Sequence, residues 1–226
     1  MSDRDRIRQD YDGYSTAGRD RIWDLSNPGF ARLIQERDRA LLDITLKALP
    51  EHSRLLDIGC GDGRHIKAVL ARRAGITAIG IDLLDDRIQQ ARTSVPDATF
   101  HVASADDLPL DASSIDVAAA ITLFSSLPSP TLEEAVAREI TRVVRPGGAL
   151  VWFDLRRDNP WNRAVHGVSE RRLAELFPGW QRDLRSYTLL PPLARRLGRT
   201  TPLTYPALHA IPPLRSHLIG RLRCPS

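Results

Sequence analysis

Residues 55–66 read "LLDIGCGDGRHI" in a chain of 226 residues. An apolar run gives way to three glycines at alternate positions, Gly59, Gly61 and Gly63, and then to a helix-like pattern. Glycine is needed where φ is positive or where the backbone must approach another molecule closely. A strand, a glycine turn and a helix in that order present backbone N–H groups at a helix N-terminus, a place that suits a negative group. The dinucleotide fingerprint G-x-G-x-x-G would require its third glycine at position 64, where this chain has Arg64. The spacing is instead D-x-G-x-G-x-G, with Asp57 two residues before the first glycine.

Working outward, the periodicity predicts a helix over 29–49 that stops before Pro50, a buried strand over 54–58 and a helix over 62–73. A second strand is predicted over 76–82 and a helix over 84–94, followed by strands over 99–103 and 115–124. A helix over 131–143 precedes "RPGG", and a fifth strand follows over 149–156. Strands alternating with helices predict a parallel sheet covered on both faces. The rhythm then changes to a helix at 169–177 and strands at 181–190 and 216–223, a hairpin-like antiparallel edge. Between those strands lies a Pro-, Leu- and Arg-rich insert, 191–214, too apolar for a linker and too broken by proline for one long helix. It is expected to form a partial cap over a pocket.

Composition bounds the function classes. Apolar content of 42% and charged content of 27% suit a water-soluble globular chain. Residues 1–20 are too polar for a signal peptide or anchor, and no apolar run reaches the roughly 18–20 residues that cross a bilayer. Cys60 and Cys224 make neither a disulfide framework nor a metal-ligand spacing. A cytoplasmic enzyme is the expectation. The net charge of +4 is unevenly placed, with 13 Arg against 4 acids from Leu155 onward and the opposite balance before it. Solvated arginine is the ordinary reading, and an anionic or amphiphilic acceptor or surface the sharper one. No basic stretch is interleaved with stacking aromatics, so no nucleic acid is expected as a partner.

The glycine stretch is followed in order by "GID" at 80–82, "ASADDLPL" at 103–110, "IDVAAAITLFSSL" at 115–127 and "RVVRPGGALVWFDLR" at 142–156. Together these blocks resemble the class I S-adenosylmethionine-dependent methyltransferases, of the small-molecule, methyltransferase type 11-like kind. The resemblance covers about residues 10–156, with an acidic residue 23 positions after Gly59. It implies an α/β, Rossmann-like, doubly wound seven-stranded sheet, mostly parallel with an antiparallel last strand. A single domain over 1–226 is expected, with a helical lid at 1–50, a cofactor core at 51–156 and an acceptor-side part at 157–226 that contains the 191–214 cap.

The resemblance implies S-adenosyl-L-methionine as cofactor and S-adenosyl-L-homocysteine as product. Gly59, Cys60 and Gly61 would run beside the methionine part of the cofactor, and Asp57 would help hold its amino end. Asp82 would accept hydrogen bonds from both ribose hydroxyls, a task for which a charged acceptor is strong; the alternative is a helix N-cap. Leu83 would pack on the adenine, and Leu123 would border the cofactor from the fourth strand. Family members often carry an Asp where this chain has Ser104, so Ser104, Ala105 and Asp106 are expected to share the adenine contacts. Tyr11 and Tyr14 resemble an N-terminal segment that lies over the cofactor, with ordinary helix packing as the alternative.

Methyl transfer from a sulfonium needs a base only when the acceptor's proton is not already acidic. Many small-molecule members have histidines after strand four, where this chain reads Leu123-Phe124-Ser125-Ser126-Leu127. His166, in the loop after strand five, is the first candidate base, against a surface role. Tyr14, Phe124, Arg156, Asn159, Trp161, Asn162 and His166 are candidate acceptor contacts. Asp154, Asp158 and Asn159 are similar to the metal site of catechol methyltransferases, but the third carboxylate is missing and no metal is expected. The expected activity is methylation of a small molecule, first at oxygen of a secondary metabolite or sugar-like compound, otherwise at nitrogen or carbon, by a monomer or homodimer. The rivals are a cyclase or lyase-like enzyme on the same fold, a chain that only binds the cofactor, and a methyltransferase of protein or RNA.

Overall fold

The computed structural model describes residues 24–159, 162 and 164–226. Tyr11, Tyr14 and Trp161 lie outside the described residues. Helix α1 (Pro28–Ala48) opens at Asn27, whose side chain accepts from the Phe30 N–H at 3.0 Å, with Pro28 at the first helical position. Then come β1 (Arg54–Ile58), α2 (Arg64–Leu70), β2 (Thr77–Asp82), α3 (Asp85–Ser94) and β3 (Thr99–Val102). After them come β4 (Ile115–Ile121), α4 (Pro130–Val143), β5 (Val144–Leu155), α5 (Glu170–Leu176) and β6 (Gln181–Leu189). The described chain closes with α6 (Pro191–Arg196), α7 (Thr201–His209) and β7 (Arg215–Arg223).

The strands form one seven-stranded sheet in the order β3-β2-β1-β4-β5-β7-β6. β1 lies in its middle, parallel to both neighbours, with Leu55 opposite Ala78 on β2 and Val117 on β4. Such a strand is covered on both faces, which is why it reads as an unbroken buried run. Alternation sends Leu56, Ile58 and Ile81 to the side of α4 and α5, where Val136, Ile140 and Leu173 cover them. Leu55, Val117 and Phe153 face the other way, onto Leu41 of α1 and Val69 of α2.

The antiparallel strand is β7, paired to both β5 and β6. The expected antiparallel edge is there, formed by β6 and β7, with β7 next to the edge and β6 at it. Two boundaries differ. β5 starts at Val144 rather than 149, with a register shift between Ile115 and Val117 of β4 that takes in the "RPGG" turn. β4 ends at Ile121, because Thr122 has φ +54° and leaves the extended conformation.

The insert over 191–214 is not a cap over the cleft described below, and none of its residues lines that cleft. It folds as α6, α7 and short 3-10 turns against the first half of α1, burying Phe30, Leu33 and Ile34 with Ala194, Tyr205 and Leu189. The approach is close. A Cβ on Gly29 would stand 1.8 Å from the Ala194 carbonyl oxygen, so only glycine fits there. The apolar stripe of α1 thus has two partners, the sheet under its second half and the insert over its first.

Candidate active site

The glycine turn is tied to the tip of β2 by three backbone N–H groups, and a fourth, from Leu84 beyond β2, braces Asp82. Gly59 and Cys60 both donate to the Ile81 carbonyl, at 2.8 and 3.0 Å. Gly61 donates to Asp82 Oδ2 at 2.9 Å, and Leu84 donates to Asp82 Oδ1 at 3.0 Å. Each carboxylate oxygen of Asp82 therefore holds one strand end and keeps lone pairs for a ligand. Asp82 is not the N-cap of α3, whose cap position is Leu84. Gly61 has φ +54° and nothing within 4 Å of where a Cβ would be, so its backbone faces open space. Gly63, at φ +77°, is bare for a different reason: a Cβ there would come within 3.1 Å of the Phe100 ring.

Above this turn lies a cleft of about 180 Å³, at the carboxyl ends of β1, β2 and β4. Gly59, Gly61 and Asp82 form one end, and Leu83, Leu84 and Arg87 one wall. Ser104, Ala105 and Asp106 form a second wall, from the loop after β3. The far side is apolar, made by Ile121, Leu123 and Leu127 with Leu132 and Val136 of α4, and edged by Thr122 and Ser126. The Ser104 hydroxyl donates to Asp106, which fixes that carboxylate at the cleft. Glu139 and Arg142 of α4 bind the backbone of Leu108 and Leu110 and hold the same loop against the sheet.

Several residues expected at the site lie elsewhere. The Cys60 side chain turns into the core against Phe100 and Gly80, and burial pushes its thiol far up, so Cys60 gives the turn only its backbone. Phe124 is fully buried with Trp152 and Phe177, at ring separations of 4.9 and 6.0 Å, and cannot touch an acceptor. Arg156 is held at its backbone by the Ser216 carbonyl, and Asn159 accepts from the Asn162 N–H, at 3.0 Å each; neither these residues nor Asn162 lines the cleft. His166 is also outside it. Its Nε2 sits 2.6 Å from Glu133 Oε1, and Glu133 takes Arg172 Nε at 2.7 Å on its other oxygen. The bond to Glu133, ahead of the opposing effect of burial, raises the His166 imidazole and favours its protonated form, the wrong form for a base.

Asp57 does not line the cleft either. Alternation along β1 puts it on the α1–α2 side, 2% exposed, with no hydrogen bond to its carboxylate among the described residues. Burial first, then the charges of Asp82 and Asp62, push it up to about 7. Burial likewise raises Asp82, against the two backbone bonds and Arg87. Asp57, Asp62 and Asp82 cluster around the glycine turn, and Arg64 engages only Asp62. Such a site calls for a cation, and a ligand with an ammonium and a sulfonium supplies two. On that ground the residues present fit S-adenosylmethionine. Among the described residues no group of three or more acidic, His or Cys side chains could hold a metal ion.

No motif or spacing marks Thr122, Arg87, Leu132 or Val136 as lining. Thr122 is a β-branched residue in the left-handed region, uncommon outside tight functional turns, and no glycine announces it. Leu132 and Val136 look like any i, i+4 core pair of an amphipathic helix. Asp154, fully buried at the end of β5, accepts from the Ser125 and Leu155 N–H groups at 3.1 and 2.9 Å. It therefore fixes the turn after β4 that carries Thr122, Leu123 and Ser126.

A methyltransferase-domain family model matches residues 55–148, the turn, the cleft and α4 included. Demethylmenaquinone methyltransferase of Roseiflexus castenholzii is 30% identical over 84% of this chain and 75% of its own length. Ubiquinone biosynthesis O-methyltransferase of Xanthomonas axonopodis pv. citri is 29% identical over 70% of this chain and 65% of its own. The chain spans only about half the length of other curated relatives it matches. In fold, it is similar to geranyl diphosphate C-methyltransferase from Streptomyces coelicolor A3(2), solved with Mg2+, geranyl diphosphate and S-adenosyl-L-homocysteine. That structure has a TM-score of 0.67, 14% identity, and coverage of 86% of this chain and 81% of the other. With that sequence likeness over most of its length, and a sheet in the order 3-2-1-4-5-7-6 with strand 7 reversed, the chain belongs to the class I S-adenosylmethionine-dependent methyltransferases.

Proposed function

We propose that the protein transfers a methyl group from S-adenosylmethionine to an oxygen atom of a small molecule, a secondary metabolite or sugar-like acceptor, and releases S-adenosylhomocysteine. The observation that carries this reading is Asp82, anchored to Gly61 and Leu84 at the end of the cleft, with the buried Asp57 carboxylate behind the glycine turn. Bound there, the cofactor supplies an already activated methyl group, so the protein's task is positioning and exclusion of water. Asp82 orients the ribose, the bare backbone at Gly61 allows close approach, and Leu83 with Ser104 and Asp106 enclose the adenine. Leu123, Leu127, Leu132 and Val136 keep the acceptor side dry, which strengthens every charge interaction inside.

Thr122, Leu123, Ser126 and Leu127 at the end of β4 carry no group that titrates near neutrality. Within the proposed class this favours a secondary metabolite with an acidic hydroxyl over a sugar-like alcohol, which would need a base from elsewhere. The O-methyltransferase relative supports oxygen. Amines and activated carbons meet the same requirement and are the alternatives. The test is incubation with S-adenosylmethionine and a panel of phenols, enols, sugars and amines, with S-adenosylhomocysteine and methylated product quantified together. Equal yields of the two on a hydroxyl acceptor are expected. Failure of the protein to bind S-adenosylhomocysteine would overturn the reading.

The absence of a titrating group at the described end of β4 supports a second reading, a cyclase or lyase-like reaction that uses the bound cofactor only for its charge. Product formed without S-adenosylhomocysteine distinguishes it.

A further inference from the structure

α7 reads "TPLTYPALH" and has no lysine, arginine, aspartate or glutamate. A helix with no charged residue is usually covered by other elements, yet α7 buries only one side, with Thr201 and Tyr205 turned onto α1 and β6. Its opposite side carries Leu203, 84% exposed, with Pro206, Ala207 and Ala210 exposed at three- and four-residue spacing. Ile211, 45% exposed, continues the patch past the helix. Arg199 lies in the 3-10 turn that leads into α7, four residues before Leu203, and Arg196 ends α6; both are exposed. From residue 184 to residue 226 the chain carries seven arginines and no acidic residue.

We propose that this side of the insert docks on the surface of an anionic lipid bilayer, with Leu203 and Ile211 inserted at the headgroup level and Arg196 and Arg199 among the lipid phosphates. Apolar residues rimmed by cations are the pattern of a helix that lies in the interface plane. α7 has nine residues, and among the described residues no helix is long and apolar enough to cross a membrane, so the contact is with the surface. A second copy fits less well. A two-fold interface through this patch would bring arginine onto arginine, with no carboxylate in the segment to separate them.

Topology places the patch usefully. β6 runs parallel to β5, so the insert leaves the sheet at the edge that holds the cleft. β6 is four strands from β1, roughly 19 Å at ordinary strand spacing. Docking there would set the cleft beside the bilayer without covering it. The proposal does not depend on which atom the cleft methylates.

The test is co-sedimentation of the full chain with vesicles of phosphatidylcholine alone and of phosphatidylcholine mixed with phosphatidylglycerol. Binding is expected only to the mixed vesicles, weakening as salt rises. Leu203→Glu should lower the partition about tenfold. The double variant R196Q/R199Q should lower it by about fivefold per arginine. All three residues are exposed, so melting temperature and S-adenosylhomocysteine titration should match the parent and verify folding. Ile211→Glu repeats the measurement outside the helix should Leu203→Glu misfold. Equal binding to both vesicle types, or variants that bind like the parent, would overturn the proposal. So would a dimer that Leu203→Glu converts to monomer, because the patch would then belong to a second copy.

Discussion

At the scale of single residues, Asp82 accepts one backbone N–H on each oxygen, and an Asn side chain cannot repeat that pattern. In Asp82→Asn the new amide NH2 must face either the Gly61 or the Leu84 N–H. Loss of one charge-assisted bond is worth about 1.5–3 kcal/mol, so S-adenosylhomocysteine affinity should fall about tenfold to a hundredfold in a calorimetric titration. Asp57 makes a different prediction, about pH. Its folded value near 7 lies above the ordinary 3.8, so the folded state keeps a proton that the unfolded chain has released. Its contribution to stability is present below about pH 4 and is lost as pH rises toward 7. The difference in melting temperature between the parent and Asp57→Asn should therefore shrink and reverse across that window. A cationic ligand pulls the carboxyl back down, so binding near pH 6.5 should release a proton, visible as a buffer-dependent binding enthalpy. The glycines and Asp82 were legible in the sequence because their spacing is a backbone requirement. The inward turn of Cys60 was not, because a turn breaks the two-residue alternation that would reveal which way a side chain faces.

At the scale of elements, Glu133 of α4 joins the loop over 156–168, through His166, to α5, through Arg172. Burial pushes Glu133 up and the two bonded cations more than offset it, leaving it below its usual range. The raised His166 adds stability at pH values below its ordinary 6.5, and loses it as pH rises through the folded value. With the imidazole 39% exposed, solvent screening limits the effect to about 1 kcal/mol. His166→Ala should thus cost about that at pH 6, and less at pH 9, in thermal melts. Its kcat should stay within about threefold of the parent, whereas loss of a true general base would cost about a hundredfold or more. The contact of α1 with α6 gives a steric prediction. Gly29→Ala drives a methyl group into the Ala194 carbonyl and should destabilise by about 1–3 kcal/mol in denaturant melts, with cofactor affinity unchanged. The elements themselves were legible, since hydrophobic period and proline stops mark them. The seat of the insert was not, because Phe30, Leu33 and Ile34 show the same stripe whether a helix faces a sheet or another helix.

At the scale of the whole molecule, the sheet order followed from resemblance more than from periodicity, which cannot tell an edge strand from its neighbour. Ligand linkage acts on the whole fold. S-adenosylhomocysteine at a hundred times its dissociation constant should add about 2.7 kcal/mol. For a chain of this size that is roughly 5–10 °C in melting temperature, measured by scanning calorimetry. The charge divide, acidic before Leu155 and basic after it, puts cation-seeking carboxylates at the cleft and arginines on the insert in one chain. The placement of β7 also sets an order of assembly during synthesis. Among the described strands β6 pairs only with β7, so it joins the sheet once the nine residues of β7 have left the ribosome. Until then β5 ends the nascent sheet with an unpaired edge, a surface on which chains aggregate. From the emergence of β6 until β7 joins, the nascent sheet carries that exposed edge.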